Sequence, residues 1–288
     1  MIILNAYAKI NLTLDITGLL NDGYHSISTI MQSVSLHDTV TLEKTEVGIN
    51  LNSASKRIPL DERNIAYRAA KLFFDETNRT DGVSINIRKR IPVSAGLAGG
   101  SADAAAVFVG MNRLFNTQLS VSDLMRLSLK LGSDIPFCII GGTKLCEGRG
   151  EIITPLPFLD DCYILIVKPR SGMSAKRSYA LYDSFEGEHI RPDTKSAVEK
   201  LSQGDLADFS GQIKNVFEPV VAAQIYDVAD TVNKLKNTSA LAVSMTGSGT
   251  AVFAIYNDKS DAEKSKLLFS KPTRTFVTTP ERFGVKIN

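Results

Sequence analysis

Hydrophobic and polar residues alternate through the first stretch of the chain, with Ile10, Leu12, Leu14 and Ile16 set against Asn11, Thr13 and Asp15. A period of two belongs to a half-buried strand and predicts extended backbone from Ile3 to Ile16. A turn centred on Asn21-Asp22-Gly23 follows, then Ile27, Ile30 and Val34 lead to a second extended stretch at Thr39 to Glu43. Glu46 to Leu60 is polar and mixed, the composition of a hairpin or edge excursion. At Asp61-Glu62-Arg63-Asn64 the acids lie where a helix N-terminus favours them, and the period lengthens through Ala66, Ala69, Ala70, Leu72 and Phe73. Val83, Ile85 and Ile87 then restore the strand period.

That strand runs into Ile91-Pro92-Val93-Ser94-Ala95-Gly96-Leu97-Ala98-Gly99-Gly100-Ser101. Gly96, Gly99 and Gly100 would each cost roughly 1 kcal/mol inside a helix or strand, so the segment reads as a loop. Alanine-rich sequence follows and predicts a helix from Ser101 to about Phe115. Ser120 caps a further helix over Leu124 to Leu131. Gly132 and Pro136 punctuate Leu131 to Phe137, and paired glycines bracket a short strand or hairpin between Gly141-Gly142 and Gly148-Arg149-Gly150. Tyr163 to Val167 is dense in apolar and β-branched residues, as a central strand is. Helices are expected within Arg170–Tyr182 and over Lys200–Phe209, Phe217–Leu235 and Asp261–Phe269. Strands are expected at Leu241–Met245 and Ala251–Tyr256, with a last edge strand at Thr275–Thr279. Strands and helices so interspersed, with short antiparallel links, make an α+β fold. The composition shift near the middle divides it into lobes of residues 1–159 and 160–288.

Composition narrows the function. With 33 basic and 31 acidic residues the net charge is +2, so no general polyanion-binding surface is implied and nucleic acid is not an expected partner. No apolar run reaches the ~20 residues that cross a bilayer. The three cysteines, Cys138, Cys146 and Cys162, lack metal-ligand spacing and read as free thiols. The first residues carry no basic segment with a cleavage site, and a cytoplasmic location is expected.

Several residues carry candidate chemistry. Small residues ahead of a helix leave backbone N–H groups open at its positive end, which makes Gly96–Ser101 a candidate phosphate site, or simply a tight loop beneath a buried helix. Neither G-x-x-x-x-G-K-S/T nor G-x-G-x-x-G is present. Lys9, among Ala6, Tyr7, Ala8 and Ile10, either snorkels or meets a phosphate or carboxylate. His25 beside its turn is a surface residue or part of a recognition loop. Asp134 caps a helix beginning near Pro136 or serves as a base. Thr246-Gly247-Ser248-Gly249-Thr250 marks a tight turn whose backbone approaches something closely.

Taken together, Ala8-Lys9-Ile10-Asn11-Leu12, Pro92 through Ala106 and Met245-Thr246-Gly247-Ser248-Gly249 resemble the GHMP kinase superfamily. Asp22-Gly23-Tyr24-His25, Met31-Gln32-Ser33-Val34, Leu131 through Phe137, Gly148-Arg149-Gly150-Glu151 and Asn215-Val216-Phe217-Glu218 are similar to those members that phosphorylate a cytidine-diphosphate-linked methylerythritol in isoprenoid precursor synthesis. The resemblance runs from Ala6 to about Tyr256. It departs at Ala98, where glycine is frequent, at Thr250, where proline is common, and loosely over Tyr179–Asp193. It implies a two-lobed α+β fold with ATP and the small-molecule substrate in the cleft, and no obligate protein partner, membrane or nucleic acid. Pro92, Gly96, Leu97, Ala98, Gly99, Gly100, Ser101 and Ala102 would surround the nucleotide phosphates, with Asn64 and Lys89 toward adenosine. Asp134 would be the catalytic base for the 2-hydroxyl and Lys9 its partner. His25 would read the cytosine edge, Tyr24 and Tyr179 would flank the ring, Asn11 would hold substrate near the base, and Thr246, Gly247, Ser248 and Gly249 would line the cleft. Mg2+ would accompany ATP, with Ser101 its candidate protein contact. Another small-molecule kinase of this superfamily, or a non-catalytic nucleotide-binding protein on the same fold, are the rival readings.

Overall fold

The computed structural model describes residues 1–288. Its elements, in chain order, begin with two long strands, β1 (Ile2–Leu19) and β2 (His25–Thr45), and a short one, β3 (Ile49–Asn52). Helix α1 (Ile65–Thr77) and strand β4 (Gly82–Arg88) precede α2 (Gly99–Leu114), α3 (Val121–Ser128) and α4 (Ile135–Ile140). A hairpin, β5 (Thr143–Gly148) and β6 (Ile152–Pro155), leads to β7 (Tyr163–Lys168). Five helices follow: α5 (Ala175–Asp183), α6 (Thr194–Gln203), α7 (Leu206–Ser210), α8 (Phe217–Gln224) and α9 (Tyr226–Lys236). The chain closes with β8 (Ala242–Met245), β9 (Val252–Tyr256), α10 (Lys259–Lys266), β10 (Arg274–Thr278) and β11 (Val285–Ile287).

These strands form two sheets. The larger has the order β11-β1-β2-β4-β3, with β5 on another stretch of β2 and β6 outside β5; the smaller has the order β10-β7-β9-β8. Strand β2 pairs with β5 over Ile27–Gln32 and with β4 over Thr39–Thr45, so it serves two neighbours in succession. The β1–β2 register slips between Asn11 and Thr13. Such a bulge re-aims side chains, and here it falls beside Lys9. Leu4 through Leu12 of β1 bury their apolar side chains in the main core, while Leu14 and Ile16 belong to a second core with Leu165, Val167, Val216 and Phe217. One strand thus enters both cores, and a bridge from Leu14 to Asn215 ties it to the later half of the chain.

The strand and helix periods are realised at nearly every expected place, with α2 beginning at Gly99 rather than Ser101. Differences arise where one residue interrupts a continuous pattern. The helix expected over Lys200–Phe209 is two, parted at Gly204, whose φ is +75°, and that over Phe217–Leu235 parts at Ile225 in extended backbone. The second extended stretch starts at His25, because both polar and apolar positions of β2 are covered by neighbours. The three-residue strand β11 is too short to show a period in the sequence. It pairs antiparallel with Leu4–Ala6 of β1 and so returns the end of the chain to the first sheet.

Candidate active site

Lys9 is buried, its side chain 4 % exposed, and an ammonium cannot stay there without partners. Its Nζ donates to Asn11 Oδ1 at 2.6 Å and to the Gly96 carbonyl at 3.2 Å, and lies 3.9 Å from Asp134 Oδ2. Asn11 is fixed in turn: its Nδ2 donates to Thr29 Oγ1 at 2.8 Å and its backbone N–H donates to Thr246 Oγ1 at 2.9 Å. The polar side of β1 therefore faces the Gly96 loop and the Thr246 turn together. Those two loops interlock. Gly96 has φ +76°, and a Cβ there would lie 2.1 Å from the Thr246 carbonyl oxygen, so only glycine fits.

Ala98 takes the left-handed conformation, φ +54°, as the residue before α2, where an L side chain costs roughly 1–2 kcal/mol. No side chain caps this helix, so its first-turn N–H groups face a cavity of about 460 Å³. Asn64, Lys89, Pro92, Gly96 through Ser101, Ser248 and Gly249 all line that cavity. Ala102 is fully buried behind it. Two of the lining polar side chains are already engaged. Asn64 caps α1 through the Ala66 N–H and donates to the Pro59 carbonyl. The Lys89 ammonium donates to Asp38 at 2.5 Å, Asp103 at 2.7 Å and the Gly99 carbonyl at 3.3 Å. Burial pulls the Lys89 pKa down, but Asp103 and Asp38 outweigh it and leave it above the ordinary lysine value. Lys89 thus pins the start of α2 from below and presents no free ammonium to the cavity.

Asp134 stands immediately before α4 with helical backbone, and its carboxylate makes no capping hydrogen bond. Pro136 opens the helix in its place, as proline can in a first turn. The carboxylate is left about one-third exposed, facing Lys9.

A second cavity, of about 1130 Å³, adjoins the first along Ala175 and is lined by Tyr24, His25, Ser133, Arg149, Lys176, Tyr179 and Asp183, among others. The His25 and Tyr179 rings stack with centroids 4.8 Å apart. Burial, with Asp134's charge adding, pushes the Tyr179 phenol up to about 12. Tyr24 is exposed, and the Arg149 guanidinium lies 4.3 Å over its ring while pairing with Asp22. Tyr24 and Tyr179 therefore border one cavity, and of these two only Tyr179 stacks on the His25 ring. Ser101, in the first turn of α2, lines the smaller cavity; no group of three His, Cys, Asp or Glu side chains could hold a metal ion. The three cysteines are buried thiols.

Several residues that shape these cavities had no sequence signal of that role. Asn215 Nδ2 donates to the carbonyls of Met245 (2.7 Å) and Gly247 (2.8 Å), and Glu218 accepts the Met245 N–H at 2.7 Å. These two hold the Thr246–Gly249 turn from behind. Thr250, where the family often has proline, donates its hydroxyl to the Ser171 carbonyl at 2.6 Å. Ser178 donates to the Ser248 carbonyl at 2.7 Å.

A small-residue cradle at a helix start, locked to a glycine turn from another sheet, beside a buried lysine and a free carboxylate, is an arrangement for phosphoryl transfer. The GHMP kinases N terminal domain matches residues 64–142 and the GHMP kinases C terminal domain matches residues 197–266. The chain belongs to the GHMP kinases. It is 43% identical over 261 residues to a 4-diphosphocytidyl-2-C-methyl-D-erythritol kinase of Clostridium botulinum, covering 91% of this chain and 93% of that protein. It is 44% identical over 265 residues to the kinase of the same name from Caldicellulosiruptor saccharolyticus, covering 91% of each. A crystal structure of 4-(cytidine 5'-diphospho)-2C-methyl-D-erythritol kinase superposes with a TM-score of 0.80 at 26% identity, over 96% of this chain and 98% of that one. A homoserine kinase from Cytophaga hutchinsonii has the same fold, with a TM-score of 0.79 at 20% identity, over 100% of this chain and 97% of that one. No helix is long and apolar enough to cross a membrane.

Proposed function

We propose that the chain transfers the γ-phosphoryl group of ATP to the 2-hydroxyl of 4-(cytidine 5'-diphospho)-2-C-methyl-D-erythritol, in the cytoplasm, as a step of non-mevalonate isoprenoid synthesis. The observation that carries this is the buried Lys9 ammonium facing Asp134, with Lys9 bonded to Gly96 of one cavity, Asp134 next in the chain to Ser133 of the other, and the two cavities adjoining at Ala175: a small-residue cradle, and a wider chamber with aromatic rings and cations. The chemistry follows the geometry. The Gly96–Ser101 amides, at the positive end of α2, hold the nucleotide phosphates. Asp134 accepts the hydroxyl proton as the oxygen attacks, while Lys9, held by Asn11 and Gly96, supplies positive potential where the phosphoryl group passes. His25 reads the base edge and Tyr179 supports it from the side; Arg149 and Lys176 offer charge to the diphosphate. The Ser101 hydroxyl is a hard oxygen donor suited to Mg2+ carried in on the nucleotide, which supplies charge neutralisation of the phosphates. The lobes are taken as residues 1–159 and 160–288, with β11 returning to the first.

Asp134→Asn preserves shape and removes the base. Turnover should fall ~10²–10⁴-fold, with the binding of each ligand, measured by calorimetry, little altered. Turnover within about threefold of the wild type in the folded variant would reduce Asp134 to a structural residue.

A further inference from the structure

The His25 ring is gripped by one face of α5. Tyr179 stacks on it, Tyr182 meets it edge-on with centroids 6.3 Å apart at 86°, and Asp183 Oδ1 lies 2.8 Å from its Nε2. Positions 179, 182 and 183 share a helix face by their spacing of three and four. Only one ring nitrogen is engaged: Nδ1 makes no hydrogen bond within the protein and is not a buried orphan. A carboxylate can accept a hydrogen bond but not donate one, so the contact at Nε2 requires the proton to be there. The neutral ring then carries its lone pair on Nδ1, in a side chain bordering the larger cavity.

We propose that Asp183 is a positioning residue that holds His25 as the Nε2–H tautomer and so makes it an acceptor for a base bearing an exocyclic amine. This rests on the function proposed above. Cytosine offers an amine at the position where uracil has a carbonyl, and a carbonyl facing the Nδ1 lone pair leaves two acceptors unpaired. The Asp183 side chain is 54% exposed, so its hydrogen bond to His25 adds little to stability. Its effect lies in where the imidazole proton sits.

Two measurements on the full chain test this. Long-range 1H–15N spectra of the imidazoles should show His25 as the Nε2–H tautomer in the wild type, shifting toward Nδ1–H in Asp183→Asn, whose amide no longer dictates the proton's place. In kinetics, the ratio of kcat/KM for the cytidine acceptor to that for its uridine counterpart should fall about tenfold in Asp183→Asn, with the loss in KM of the cytidine acceptor. His25→Ala should show a similar fall, and adding Asp183→Asn to it should change the ratio no further. Asp183→Leu should repeat the fall with the melting temperature nearly unmoved. An Nδ1–H tautomer in the wild type overturns the proposal, as does an unchanged ratio in Asp183→Asn when His25→Ala lowers it. If the wild type phosphorylates neither acceptor, the proposed function fails and the base-reading step with it, while the spectra still decide whether Asp183 sets the tautomer.

Discussion

Asp38, Lys89 and Asp103 put one ammonium between two buried carboxyl groups. Asp38 is fully partnered, accepting from Lys89 and from the N–H groups of Arg90 and Ile91. Asp103 accepts from Lys89 through one oxygen, and the other is buried with no partner. Burial, offset in part by Lys89 and reinforced by Asp38, therefore raises the Asp103 pKa well above the ordinary carboxylate value. The folded chain binds a proton there that the unfolded chain releases near pH 4. Stability from this group is then full at low pH and falls as pH rises from about 4 through the raised value. Asp103→Asn mimics the protonated form, so the variant should gain on the wild type as pH rises. Melting temperatures at pH 4.5 and pH 8 measure it, and an equal gap at both would mean that Asp103 stays ionised in the fold. The same residues show a limit of sequence reading. Lys89 was legible as a cation near the loop, but its partner Asp38 lies 51 residues earlier, and no local pattern joins them.

At the scale of elements, the loop before α2 and the first turn of that helix divide their glycines into those that space requires and those that it does not. Gly96 is required by both its φ and the Thr246 carbonyl, whereas a Cβ at Gly100 would meet only Ile65 Cγ2 at 3.4 Å. Gly96→Ala should therefore part the loop from the Thr246 turn, lowering both melting temperature and ATP affinity. Gly100→Ala sits in a helix and should keep or gain stability, by up to about 1 kcal/mol. Thermal unfolding of both variants, with an ATP titration of Gly96→Ala, checks the contrast; equal losses would mean that the first turn of α2 tolerates a side chain no better than the loop does. Of the three glycines read as loop because of their cost in regular structure, Gly96 lies in it, whereas Gly99 and Gly100 open α2. What they could not announce is which of them faces another chain segment, since that depends on a turn 150 residues away. For the same reason the pattern shows only a helix within Arg170–Tyr182 and gives no sign of the Asp183 contact with His25, which joins residues 158 positions apart.

Across the whole molecule, Asn215 stands where three segments meet. It bridges to Leu14 of β1, it holds the Met245 and Gly247 carbonyls of the glycine turn, and its Oδ1 accepts the Phe217 N–H at the start of α8. The turn so held carries Thr246, which accepts the Asn11 N–H beside Lys9. Asn215 appeared in the sequence only as part of a family motif, yet it links the second core to the cleft. Two substitutions separate its volume from its hydrogen bonds. Asn215→Ala removes the amide donor from both carbonyls, leaving Met245 only the Ser244 hydroxyl at 3.3 Å; a buried carbonyl that loses its partner costs ~1–3 kcal/mol. Asn215→Asp keeps the shape and the Phe217 contact but turns a carboxylate oxygen toward both carbonyls, replacing attraction with repulsion. If the amide donor is what matters, the isosteric variant should melt at least as low as the alanine one, and kcat should fall in both as Thr246 and Asn11 lose their placement. If Asn215 only fills space, Asn215→Asp should be the milder change in melting temperature and should keep kcat. Denaturant unfolding and saturation kinetics on the two purified proteins distinguish these outcomes.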